Sequence, residues 1–189
     1  MNKVILASGS PRRLEILTMA GYDCTVIKPD TDENIEFSSP EGYVAELSLR
    51  KAAEVAYNND GCVIAADTVV AVDGKILGKP TDEEDAKAML RSLSGKCHSV
   101  FTGFTVCLGD KSATEVSETK VYMRNITEEE IVAYVKSGDP LDKAGAYGIQ
   151  CAAGMFIDKI DGDYYTVVGL PLCRISVILR EQFGITPEI

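Results

Sequence analysis

The sequence predicts an α/β (mixed α+β) fold on a mixed, twisted sheet, and three observations carry that expectation. Short apolar runs of strand length, V-I-L-A at 4–7 and C-V-I-A-A at 62–66, alternate with segments whose apolar residues recur at helical spacing. Asp73-Gly74 joins two β-prone runs, the signature of a tight hairpin. Residues 98–108 and 115–123 are long and rich in Val, Thr, Phe and Tyr, and read as an antiparallel pair. Alternation of strand and helix early, with antiparallel pairs later, implies strands running both ways in one sheet.

In order along the chain, strand 4–7 ends at the small residues Ser8, Gly9 and Ser10. Ser10 is placed to cap a helix that starts at Pro11 and stops at Gly21, with Leu14, Ile16 and Leu17 on its apolar side. Tyr22 to Ile27 reads as a second strand, and 28–39 as an acidic loop. Ser39-Pro40 opens a helix reaching about Asn58, with Val44, Leu47, Lys51 and Val55 on one face. The strand 62–66 is expected to end at Asp67-Thr68, before the hairpin of 69–72 and 75–77. Thr81 to Glu84 reads as a capping box for a helix stopping at Gly95, and Thr127 to Glu130 as a second one, for a helix ending at Gly138. Residues 139–150 form a glycine-punctuated loop. Residues 155–160 and 164–168, around Asp161-Gly162-Asp163, read as a second hairpin, and a last helix follows Gly169-Leu170-Pro171 and stops at Gly184.

Composition narrows the function. A chain of 189 residues, 46% hydrophobic, is long enough for one domain with a proper core, and a single domain over 1–189 is expected. A net charge of −10 excludes nucleic-acid binding by bulk electrostatics, so a polyanionic ligand needs a local basic cluster or a divalent metal. No apolar run is long enough for a bilayer and no signal-peptide pattern opens the chain, so a cytoplasmic protein without a membrane partner is expected. The six cysteines show no C-x-x-C pairing and mostly lie in apolar runs, so buried free thiols are expected. His98 is the one histidine; it excludes a His-rich metal site and reads as a structural residue near a strand start.

Four places stand out chemically. Arg12 and Arg13 fall in the first turn of a helix whose unpaired N–H groups already favour an anion; a phosphate would offset them, and surface ion pairs are the alternative. Asp67, where a buried strand is expected to end, needs a partner or a metal, or else caps a turn. Lys51 among apolar neighbours either snorkels to the surface or serves a site. Lys143 and Asp142 either join that site or stiffen their loop. Two hydrolase classes fail: the Asp-x-Asp pattern of haloacid-dehalogenase phosphatases is missing its second Asp after Asp67, and no G-x-S-x-G is present.

Together S-G-S-P-R-R at 8–13, S-P-E-G-Y-V at 39–44, A-A-D-T at 65–68, G-K-P at 78–80, D-K-A-G-A-Y-G-I-Q at 142–150 and V-V-G-L-P-L at 167–172 resemble the Maf family, in that family's order and over nearly the whole chain. The resemblance implies an elongated, two-lobed inosine-triphosphate pyrophosphatase-like fold with a central cleft. It also implies hydrolysis of a nucleoside triphosphate to the monophosphate and pyrophosphate, with Mg²⁺ or Mn²⁺; no nucleic-acid partner is expected of so acidic a chain. The loop at 142–150 resembles the branch acting on dTTP and UTP, and a homodimer is what the family suggests. Asp67 matches the family's proton acceptor, and Glu33 and Asp67 are the carboxylates expected to hold the metal. Lys51 and Lys79 serve catalysis, Ser8, Arg12 and Arg13 cradle phosphate, and Arg13, Thr68 and Gln150 match positions tied to pyrimidine preference. A glutamine amide has the donor and acceptor to meet the N3–H and O4 edge of uracil or thymine. Thr166, where the family more often has Asn, lies outside this set. A nucleotide-binding regulator of cell division is the rival reading, separated by pyrophosphate release from UTP.

Overall fold

The computed structural model describes residues 3–188. Its elements run β1 (Val4–Ala7), α1 (Pro11–Met19), β2 (Cys24–Val26), α2 (Pro40–Tyr57), β3 (Cys62–Val72), β4 (Lys75–Leu77), α3 (Glu83–Leu93), β5 (Cys97–Leu108), β6 (Lys111–Met123), α4 (Glu128–Val135), β7 (Ile157–Asp161), α5 (Tyr164–Val168) and α6 (Leu172–Phe183). The strands lie in the order β2-β1-β3-β5-β6-β7, with β4 on β3. β1 is parallel to both β2 and β3, whereas β3/β4 and β6/β7 are antiparallel. The sheet is therefore mixed, as the sequence implies.

The described chain forms two units, one of residues 3–67, 102–117 and 169–188, the other of 68–101 and 118–168. In the first, α2 lies so close to β5 that a Cβ on Gly103 would sit 2.3 Å from the Val44 carbonyl oxygen. Ser48 on that helix shares a 3.0 Å hydrogen bond with Thr105, and Ala52 and Val55 pack on Ala7, Val63, Ala65 and Cys107. The second unit buries Leu90 and Leu93 of α3, Ile131 and Val135 of α4, and Val100, Val121 and Phe156 in one core. Here the Thr127 capping box is present as expected, its side chain receiving the Glu130 N–H while the Glu130 carboxylate receives the Thr127 N–H.

Four local expectations are corrected. β3 does not end at Asp67 but runs through it to Val72, because Thr68, Val69 and Val70 continue a β-prone run and Lys51 partners the carboxylate. The hairpin that follows is as expected, with Asp73 and Gly74 at φ 50° and 74°, the positive pair a type I′ turn requires. α3 is capped by Asp82 rather than Thr81: the Asp82 side chain accepts from the Asp85 N–H, and the Asp85 carboxylate accepts from the Thr81 N–H. Residues 164–168 are helix, not strand, since the Asp163 carboxylate accepts from both the N–H and the hydroxyl of Thr166 and so starts a helical turn. The cysteines are free, yet only Cys62 and Cys107 are buried, while Cys97 and Cys173 are exposed at element ends. No helix among the described residues is long and apolar enough to cross a membrane.

Candidate active site

In the first unit the site is assembled from β1, α1, α2 and β3. β1 delivers the chain to the Ser8–Gly9–Ser10 turn, where the Ser8 hydroxyl accepts from the Ser10 N–H at 3.2 Å. Ser10 stands at the N-cap of α1 without a capping side-chain bond, and Pro11 is the first helical residue. Arg12 and Arg13 occupy the first turn, as expected. Arg13 turns inward: Nη1 donates to the Ser8 hydroxyl at 3.0 Å and to the Ala66 carbonyl at 2.7 Å, and Nε donates to the Gly169 carbonyl at 2.8 Å. This side chain ties the Ser8 turn to the residue before Asp67. Burial lowers its pKa, and the Asp67 carboxylate pulls the other way without reversing that direction.

Lys51 projects from the middle of α2 and is only 8% exposed. It does not snorkel. Its Nζ lies 2.7 Å from Asp67 Oδ1 and 2.6 Å from Glu33 Oε1, so one ammonium bridges two carboxylates that are 34 residues apart in the sequence. Asp67 is largely enclosed, with 14% of its side chain exposed, whereas Glu33 is 60% exposed. The Tyr43 hydroxyl donates to the Glu33 carbonyl at 3.2 Å. Burial raises the Tyr43 pKa, and the Asp67 and Glu33 charges add to that, so Tyr43 remains a protonated donor.

The remaining candidates belong to the second unit. Thr68 follows Asp67 directly in β3 and is half-buried. Lys79 is exposed just after Gly78, and Gln150 is exposed at the end of the glycine-punctuated loop. A backbone bond connects the neighbourhoods of these two, from the Gly145 N–H to the Gly78 carbonyl at 3.0 Å. Lys143 is buried, with Nζ on the Asp139 carbonyl, the Asp139 carboxylate and the Asp142 carboxylate.

The sequence matches the family described as Maf-like protein over residues 3–182. The chain belongs to the Maf-like family. Among its relatives are dTTP/UTP pyrophosphatases of Bacillus cereus (strain AH820) and Bacillus anthracis. Each is 50% identical to this Maf-like protein over 187 residues, covering 98% of this chain and 97% of the relative. A HAM1 protein from Coxiella burnetii has the same fold at 16% identity, with a TM-score of 0.55 over 96% of this chain and 100% of that one.

Three residues of this Maf-like protein support the site and were not singled out in the sequence. Lys28 lays its aliphatic stem against Gly9, where a Cβ would stand 3.4 Å from its Cδ. Tyr43 holds the Glu33 backbone and stacks edge-on against Phe37, with ring centroids 4.5 Å apart. Glu54 accepts from the Asp30 N–H at 2.8 Å and from the Thr31 hydroxyl, fastening the acidic loop to α2. Only Tyr43 carried a signal, lying within the S-P-E-G-Y-V motif.

Proposed function

We propose that this Maf-like protein hydrolyses dTTP or UTP to the monophosphate and pyrophosphate: water attacks phosphorus at the α–β phosphoanhydride, a new P–O bond forms, the P–O–P bond between the two phosphates breaks, and pyrophosphate leaves. The observation that carries the reading is the buried Lys51 ammonium bridging Glu33 and Asp67, beside the Arg13-braced Ser8 turn at the start of α1. An acidic protein that places cations and a carboxylate pair at one helix N-terminus is equipped for a phosphate chain and for water. The similarity to the two Bacillus dTTP/UTP pyrophosphatases, half of all residues over almost the full length, supports the same substrate class.

The carboxylate pair fits a divalent cation. Glu33 and Asp67 offer hard oxygen donors, although among the described residues no group of three or more His, Cys, Asp or Glu is placed to hold a metal ion. Two carboxylates completed by phosphate oxygens and water suit Mg²⁺ or Mn²⁺. Such a cation, when bound, neutralises phosphate oxygens and acidifies water. The chain's own groups have separate tasks. Asp67 Oδ accepts the proton of the attacking water, and Lys51 holds that carboxylate in place. Ser8, Arg12 and the N–H groups at the start of α1 bind phosphate oxygens, and Lys79 adds a point charge. Arg13 keeps the Ser8 turn and the end of the Asp67 approach together. Thr68 and Gln150 meet the base. A panel of nucleoside triphosphates, assayed with Mg²⁺ for pyrophosphate against orthophosphate, tests the reading: pyrophosphate from UTP and dTTP is expected. Asp67→Asn is expected to abolish most of it with the fold intact, and near-normal turnover in that variant would overturn the assignment.

A further inference from the structure

The loop that ends in Gln150 is built around a cation that faces inward. Lys143 is 7% exposed, and its ammonium is engaged by the Asp139 carbonyl at 2.5 Å, Asp139 Oδ1 at 3.0 Å and Asp142 Oδ1 at 2.6 Å. An ammonium has three N–H donors, so none is left for a ligand. The other Asp139 oxygen receives the Tyr134 hydroxyl at 2.7 Å, which anchors the cluster to α4. The Lys143 stem lies along the loop's own backbone: a Cβ on Gly148 would come within 2.8 Å of its Cδ and Cε.

Between these points the backbone is strained. Gly145 and Ala146 both have positive φ, 68° and 60°, and Ala146 is a non-glycine fully buried in that conformation. A Cβ on Gly145 would meet Val70 at 2.8 Å. Backbone of this kind persists only where its surroundings enforce it. What it achieves is specific, because the Gly145 N–H is thereby aimed at the Gly78 carbonyl, next to Lys79, while the Cys151 N–H closes on the Gly148 carbonyl around Gln150.

We propose that Lys143 is a positioning residue: its buried ammonium fixes the loop that presents Gln150 and ties that loop to the Gly78–Lys79 turn. The inference rests on the reading of Gln150 as the base-recognising group. A primary amide can rotate to offer its donor and acceptor in either order, so it separates uracil from cytosine only when its orientation is held. Rigidity of the loop is then part of specificity.

Amide hydrogen exchange and steady-state pyrophosphate release from UTP and CTP, on the full chain, test this together. In Lys143→Met the Gly145 and Cys151 amides are expected to exchange at least tenfold faster, with α3 amides unchanged. The UTP-over-CTP ratio in kcat/KM is expected to fall toward that of Gln150→Ala. The double variant is expected to be no less selective than Gln150→Ala alone. Unchanged exchange at Gly145 and Cys151, or a ratio preserved while both activities drop equally, overturns the proposal. If Lys143→Met does not fold, Tyr134→Phe, which removes one support of Asp139, decides by the same two readouts. If Gln150→Ala itself leaves the ratio untouched, the reading of Gln150 fails instead, and exchange alone decides the role of Lys143.

Discussion

Replacing Lys51 with methionine removes the ammonium while preserving most of the stem's volume. In the native protein that ammonium sits 2.6 Å and 2.7 Å from two carboxylates. Glu33, 60% exposed, is rehydrated when it loses its partner and contributes little to the change. Asp67 has only 14% of its side chain exposed and is left as an enclosed charge without its cation. Breaking a buried pair from one side costs roughly 3 kcal/mol at the lower end of the usual range, appropriate to a group that water still touches. For a chain of this size that corresponds to a Tm lower by about 6–12 °C. The assay is thermal and urea unfolding of the wild type, Lys51→Met, Asp67→Asn and the double variant. Because the double variant carries no stranded charge, it is expected to regain much of the stability lost in Lys51→Met, a coupling that a double-mutant cycle reads directly. A Lys51→Met protein with an unchanged Tm, or a double variant no more stable than the single one, would refute the reasoning.

Gly103→Ala is expected to destabilise the first unit by roughly 2–3 kcal/mol, since its Cβ would meet the Val44 carbonyl at 2.3 Å and both partners are backbone; urea midpoints measure it. His98, 3% exposed with Nε2 on the Tyr147 hydroxyl at 2.7 Å, is held by burial to a pKa of about 4. Its folded value lies below the ordinary value near 6.5, so the unfolded chain takes the proton first; stability is full above about pH 6.5 and declines toward pH 4. Imidazole NMR of the sole histidine is expected to show no titration between pH 8 and 5, and His98→Asn is expected to lose that part of the pH dependence. Hydrogen bonds from Arg124, then from the Thr127 backbone, bring Glu130 down to a pKa of about 2. Its contribution is therefore present above about pH 4.5 and lost as the pH falls toward 2, so the Tm gap between wild type and Glu130→Gln is expected to close over that range.

Much of this architecture was legible in the sequence wherever the signal was local. Ser39 and Thr127 announce helices by their own side chains, and Asp73-Gly74 announces a hairpin by its backbone freedom. Misreadings arose where a distant or competing partner decided. Asp67 looked like a strand end because its partner, Lys51, lies on another element. Residues 164–168 looked like strand because Tyr, Thr and Val favour it, until Asp163 capped them into a helix. Cys173 follows the apolar Leu170-Pro171-Leu172 and is a surface residue by position. The chemistry-bearing residues were readable as types, but their grouping was not. Nothing in the spacing of Glu33, Lys51 and Asp67 says that one ammonium holds both acids, and nothing local marks Glu54 as the fastener of the acidic loop.

The interleaving of the two units has a consequence for how the polypeptide is made. The first needs residues 169–188, including α6, whereas all of the second lies between 68 and 168. On the ribosome, the half that begins first is therefore completed last. Asp67 and Lys51 are therefore synthesised well before Gly169, whose carbonyl receives the Arg13 Nε–H.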